Sequence, residues 1–199
     1  MKPGSPSRAG FNVSCVGDDR AYSYLPSRAG NTLADVAAQH VLRHINPEFT
    51  RYSWLERGSD ERQYCAPLVD LPVATIMRSK YGTYPEYHTS LDDLDNVVTP
   101  TGLSGGYEAL RQAIEVIEGN VTPHVTVPCE PQLGKRGLYP TLSTKGSGRQ
   151  VRVMMNLLSY CDGRRTLLEI AELIGEPFAR LQSILMPLVE NGLVETTPA

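Results

Sequence analysis

The stretch "TYPEYHTSLDDLDNV" (83–97) sets His88 beside Tyr87 and ahead of Asp92, Asp93 and Asp95, in a chain with only 4 histidines. An imidazole nitrogen close to carboxylate oxygens is a mixed donor set that zinc accepts. A second acidic segment, "CVGDD" (15–19), places Asp18 and Asp19 directly after an apolar run. If both segments sit at strand ends, either aspartate could join His88 on one divalent ion. The plainer alternative is a solvated turn whose aspartate caps a helix, and spacing alone leaves both open. His40 and His44 make an H-x-x-x-H pair, but "HVLRH" lacks the Glu of the metalloprotease helix motif, so a half-buried polar helix face is the simpler reading.

These segments need elements to carry them. In "FNVSCVGDD" (11–19), Phe11, Val13 and Cys15 alternate with smaller or polar residues, the pattern of a strand closing on an acidic turn. "NTLADVAAQHVLRH" (31–44) reads as a helix capped by Thr32 with Asp35 at the capping-box position, and Leu33, Val36, Ala37 and Val41 on its apolar face. "FTRYSWL" (49–55) is a strand candidate, "RGSDERQYCAP" (57–67) a loop, and "LPVATIMRS" (71–79) a buried strand. A helix follows in "LSGGYEALRQAIEVIEGN" (103–120), with Tyr107, Leu110, Ile114 and Ile117 on one stripe. Strands alternating with helices predict an α/β domain over 11–120 with a mostly parallel sheet. In such sheets, ligands bind beyond the carboxyl ends of the strands, where both acidic segments would lie.

Residues 1–10 read as a disordered lead-in, and residues 121–148, rich in proline and glycine, as a linker. The remainder, 149–199, has the outline of a winged helix. "RQVRVMMNLLSY" gives a helix with Val151, Met154, Met155 and Leu158 inward; Thr166 and Glu169 form a capping box for the next, which stops at Gly175. Pro177 opens a third helix whose apolar face is Phe178, Leu181, Ile184, Leu185, Leu188 and Val189, and "LVETTPA" is a closing strand. Arg149, Arg152, Arg164, Arg165 and Arg180 face Asp162, Glu169, Glu172, Glu176, Glu190 and Glu195 in this region. That acidic excess opposes DNA binding, which needs Lys and Arg to neutralise several phosphates. A packing or protein-interaction module is the expectation.

The whole chain carries a net charge of −3, so it advertises neither nucleic acid nor an acidic membrane as partner. Its 4 cysteines are scattered with no C-x-x-C pair, which argues against a zinc knuckle or a disulfide scaffold and for reduced thiols in the cytoplasm. No apolar run reaches the roughly 18 residues of a membrane helix.

"YHTSLDDLDNV" resembles the C-terminal ligand motif of the dinuclear-zinc aminopeptidases, and "GSDERQYCAP" resembles their Gly-Ser-Asp loop. With "GFNVSCVGDDRAYSYLPSRAGNTLADVAAQHVL" and "LPVATIMRSKYGTYPEYHTSLDDLDNV" in order, and a winged helix behind, the chain is most similar to the bacterial aminopeptidase-like proteins associated with polysaccharide biosynthesis. The resemblance implies that His88 is the last zinc ligand and that Tyr87 donates a hydrogen bond to the oxyanion of a tetrahedral intermediate. It implies that Asp18, or Asp19 as the fallback, is the ligand after the first strand, although strict alignment would place that ligand at Ser14 or Cys15. Asp60 and Glu61 would border the pocket without a catalytic role.

The family's early His, bridging Asp, Glu base and further Glu ligand would precede this chain. The expectation is therefore a C-terminal half of a zinc-exopeptidase-like domain, with peptide or amino-terminal substrates in an intact protein and no hydrolysis by this chain alone. The alternatives are a metal-free module that associates with itself or a partner through the winged helix or an open sheet edge, and, less favoured, a DNA-binding regulator.

Overall fold

The structure, a computed structural model, describes residues 9–129, 131, 133–136 and 147–199. Residues 1–8 of the expected lead-in and 130, 132 and 137–146 of the expected linker lie outside the described residues. The chain divides into two compact units, Met1–Ile117 and Glu118–Ala199.

The first unit contains strand β1 (Gly10–Val13), β2 (Ser23–Leu25), helix α1 (Leu33–Ile45), β3 (Thr50–Arg51), the single turn α2 (Glu61–Tyr64), β4 (Val73–Met77) and helix α3 (Pro100–Glu118). The strands form a sheet in the order β1-β4-β2-β3. β1 runs parallel to β4 in the register Gly10↔Val73 to Val13↔Ile76, and β2 runs parallel to β3. The β2–β4 pair is antiparallel, with Ser23 opposite Met77. Two of three pairings are thus parallel, in line with the expected mostly parallel sheet. β4 is buried along its length, which is why it reads as a continuous apolar run.

Thr32 and Asp35 cap α1 reciprocally, as their spacing predicts. Asp35 does more than cap: fully buried, it also accepts from the Tyr24 hydroxyl at 2.7 Å and from the Ser27 amide at 2.8 Å. This places the helix against β2. The inward face is Ala34, Ala37, Ala38, Val41 and Leu42, rotated from the expected one, and His40 is buried with its ring edge-on to His44 at 4.8 Å.

Three local expectations change. The strand expected over 49–55 shrinks to Thr50–Arg51, because Ser53 and Glu56 cap each other across a 3-10 turn, Trp54–Glu56, and that local pairing removes the segment from the sheet. β2, too short to announce itself, takes the place beside β4. Half of the stripe expected to pack α3 faces outward instead: Tyr107 is 63% exposed and Ile114 46%, while Leu110 and Ile117 are half-buried. Gly102, Gly106, Ala109, Ala113 and Val116 are the buried face. A Cβ on Gly102 would collide with the Gly17 carbonyl oxygen, so the helix backbone approaches the loop after β1 more closely than any side chain would allow.

In the second unit, β5 (Val121–Val125) precedes helices α4 (Ser147–Tyr160), α5 (Leu167–Ile174) and α6 (Phe178–Glu190) and strand β6 (Val194–Pro198). β5 falls in the stretch read as linker, yet pairs antiparallel with β6 from Val121↔Pro198 to Val125↔Val194. Its prolines and polar residues hide it; a two-stranded wing has edges on which Pro123 needs no ladder donor. Thr166 and Glu169 cap α5 and Gly175 ends it in the left-handed region at φ 69°, as expected. Leu157, Leu167, Ile170, Leu181, Leu188 and Leu193 form the core, and α4 turns Val153 and Leu157 inward rather than Val151 and Met155.

Candidate functional site

β1 and β4 lie side by side and run the same way, so the segments leaving them emerge together at the carboxyl edge of the sheet. After β1 come Ser14, Cys15 and the acidic turn; after β4 come Arg78, Ser79 and the tyrosine-rich loop holding Tyr87 and His88. The two are tied at their roots. The Arg78 amide donates to the Cys15 carbonyl at 2.8 Å, and the Arg78 guanidinium to the Asp18 carbonyl at 2.7 Å while lying 3.6 Å over the Tyr22 ring.

Asp18 is 3% exposed. Its Oδ2 accepts from the Ser79 amide at 2.7 Å, and its Oδ1 from the Ser79 hydroxyl at 2.7 Å and the Arg20 amide at 3.0 Å. Asp19 is exposed and accepts from the Thr99 hydroxyl at 3.0 Å. Arg20 reaches the other loop, donating to both carboxylate oxygens of Glu86 at 2.9 and 3.0 Å. That hydrogen-bonded pairing raises the guanidinium further and holds the Glu86 carboxyl below its ordinary range.

Glu86 leads into Tyr87 and His88. The Tyr87 ring packs on the cluster of Leu25, Met77 and Tyr81 and lies stacked on the exposed imidazole of His88, 4.0 Å between centroids. His88 takes φ 60° and Cys15 φ 50°, left-handed conformations unusual for residues with a Cβ. The Cys15 thiol lies 3.9 Å from the Tyr84 hydroxyl, which also meets Asp92 at 3.2 Å. Burial, then Cys15 and Asp92, push the Tyr84 and Tyr87 phenols upward, so both are protonated donors at neutral pH.

The rest of the acidic run has a structural use. Asp93 accepts from the amides of Asp95 and Asn96 and from the Asn96 side chain, closing a turn and sitting below the usual carboxylate range for that reason. Glu61, expected to border the pocket, is buried and accepts from the Gly58 and Ser59 amides and the Tyr81 hydroxyl. Burial raises its carboxyl, and the hydrogen bonds outweigh that effect and leave it lowered.

The sheet thus brings the loops of Asp18, Asp19, Tyr87 and His88 to one edge, as the sequence predicts. Among the described residues, no three His, Cys, Asp or Glu side chains gather where a metal ion could sit. Zinc needs three or four ligands, and both oxygens of Asp18 are already occupied. These residues alone do not fit a zinc ion. Arg20, Glu86 and Ser79 carry no motif and are found only from the geometry.

In the second unit three arginines are paired locally, Arg149 among them with Glu176 at 3.4 Å. Arg180, the one Arg of α6, donates to Glu176 at 2.8 Å, and Arg165 to Asp162 at 3.1 Å.

The family described as a domain of unknown function, DUF4910, matches residues 5–120, more than half of the sequence. The chain belongs to the DUF4910 family. A winged helix-turn-helix family matches residues 121–196 of this DUF4910 protein. A Clostridium acetobutylicum protein, provisionally named a polysaccharide biosynthesis protein with an aminopeptidase-like domain, is 36% identical over 180 residues, covering 88% of the chain and 40% of that protein. A crystal structure from the same organism, provisionally named a peptidase, superposes with a TM-score of 0.83 at 32% identity, over 96% of the chain and 42% of that structure. The DUF4910 chain therefore spans about two fifths of the length of the relatives it matches. Among the described residues, no helix is long and apolar enough to cross a membrane.

Proposed function

We propose that this chain forms the C-terminal portion of an aminopeptidase-like hydrolase, supplying one wall of the site and no complete catalytic centre. The observation that carries this reading is the Tyr87–His88 stack, presented at the carboxyl edge of β1 and β4 and held by Arg20 on Glu86. In an intact protein the substrate is a peptide or other amino-terminal compound, and zinc is the metal. His88 is the ligand that this chain offers to such an ion, with Asp19 the more accessible carboxylate after β1. Tyr87, protonated at neutral pH, is the hydrogen-bond donor for a developing oxyanion. Four free thiols agree with a place in the cytoplasm.

An aminopeptidase assay on the purified chain tests this reading, with amino-terminal chromogenic substrates and added zinc. No release of product is expected. Turnover that is lost in His88→Ala would show a complete catalytic centre and refute the reading.

The outward stripe of α3 favours a second role, association with another copy of the chain. Leu103, Tyr107 and Ile114 are exposed along one helix and leave an apolar face without cover inside the unit. Light scattering across a concentration series is expected to show a dimer that Tyr107→Glu returns to monomer; a monomer throughout would remove this role. With Arg149, Arg165 and Arg180 paired to carboxylates and acidic side chains in excess, the winged helix is expected to leave DNA unretained even at low salt.

A further inference from the structure

The resemblance gives the carboxylate after β1 to a metal, whereas the hydrogen bonds give Asp18 a different task. Its three acceptor contacts, two from Ser79 and one from the Arg20 amide, bind the root of the β4 loop to the turn after β1. An ionised carboxylate has about four lone-pair positions. Three of them are taken, and swinging the carboxylate out toward a cation would give up the Ser79 amide and hydroxyl, which lie on a residue only 8% exposed.

The contact to the Arg20 amide fixes the backbone from which the Arg20 side chain leaves. That side chain then grips Glu86 with both η nitrogens and reaches the Asn96 carbonyl at 3.4 Å, so it spans both ends of the loop that carries Tyr87 and His88. His88 sits at φ 60°, a conformation that persists only where neighbouring contacts impose it. The chain of contacts is continuous: Ser79 to Asp18, Asp18 to Arg20, Arg20 to Glu86, and Glu86 by one peptide bond to the Tyr87–His88 stack.

We infer that Asp18 is a positioning residue which sets the Tyr87–His88 stack through Arg20 and Glu86, and is not a metal ligand. This deepens the aminopeptidase-like reading, on which the importance of the stack rests, but its geometry can be tested without activity.

The experiment follows the carbon-bound imidazole protons of His88 by nuclear magnetic resonance in the full chain. The Tyr87 ring, stacked at 4.0 Å, shields them and moves them upfield. Asp18→Asn, Arg20→Ala and Glu86→Gln are each expected to lose that upfield shift, and Arg20→Lys to keep part of it. Arg20 and Glu86 are accessible to solvent, so their variants melt near the wild-type temperature and carry the test if Asp18→Asn does not fold. A zinc chloride titration supplies the second arm: the His88 response, where wild type shows one, is expected unchanged in Asp18→Asn. His88 protons that stay in place in both Arg20→Ala and Glu86→Gln would overturn the proposal. So would a zinc response abolished by Asp18→Asn with the stack intact. A wild-type chain whose His88 ignores zinc while the stack shift follows Arg20 would sink the metal role of His88 and leave the positioning role of Asp18 standing.

Discussion

Arg20 and Glu86, 66 positions apart in the sequence, meet in two hydrogen bonds of 2.9 and 3.0 Å and join the loops that leave β1 and β4. The Glu86 carboxyl is lowered by the Arg20 hydrogen bond, so its contribution is complete above the ordinary glutamate value of about 4.3 and fades as pH falls through the lowered one. Amide hydrogen exchange in residues 82–98, corrected for intrinsic rates, is expected to quicken relative to α1 as pH is lowered through that acid window. Salt should have the same effect at neutral pH, because the pair is solvent-accessible and screened. Exchange in the loop that is indifferent to both would contradict the latch.

The two faces of α3 predict opposite outcomes. Gly102→Ala gains about 1 kcal/mol of helix propensity, but its methyl would strike the Gly17 carbonyl, and overpacking of this kind costs about 1–3 kcal/mol or more. Net destabilisation is expected in urea unfolding. Ile114→Ala, on the exposed stripe, should change stability by less than about 0.5 kcal/mol in a monomer.

That helix also shows what the sequence concealed. A period of large apolar residues was legible, but Gly102, Gly106, Ala109 and Ala113 repeat at the same helical spacing on the opposite side. Side-chain size ranks the larger stripe first, while backbone proximity rewards the smaller. The caps were legible because Thr32 with Asp35 and Thr166 with Glu169 satisfy each other within four residues. β2 was not, since a three-residue strand depends on partners distant in sequence, and β5 was masked by the composition around it. At the site, Tyr87, His88 and the aspartates could be read from local strings, but the choice of Ser79 as the partner of Asp18 is a product of strand order.

Glu61→Gln leaves one acceptor oxygen where the carboxylate uses two: Oε1 receives the Gly58 and Ser59 amides and the Tyr81 hydroxyl, and Oε2 receives the Asn12 side-chain amide at 2.9 Å, which would then face a second NH2 donor. Losing charge-assisted hydrogen bonds in a buried position should cost about 2–3 kcal/mol, read as a lower urea midpoint for the first unit.

Thiol labelling should sort the cysteines by environment. Cys129 is exposed and is expected to react first, whereas Cys161 is buried, with its pKa pushed up to about 12 by burial and by Asp162, and should stay unlabelled at neutral pH until the second unit unfolds. Mass spectrometry after timed labelling with iodoacetamide measures this order directly.

Metal content is the most direct test of the account, which holds that His88 and its neighbours form only one side of a metal centre. The purified chain, soaked in zinc and desalted, is predicted to retain less than stoichiometric metal by plasma emission analysis. Stoichiometric zinc, retained by the wild type and unaffected by His88→Ala, would contradict both the incompleteness of the site and the ligand assigned to it.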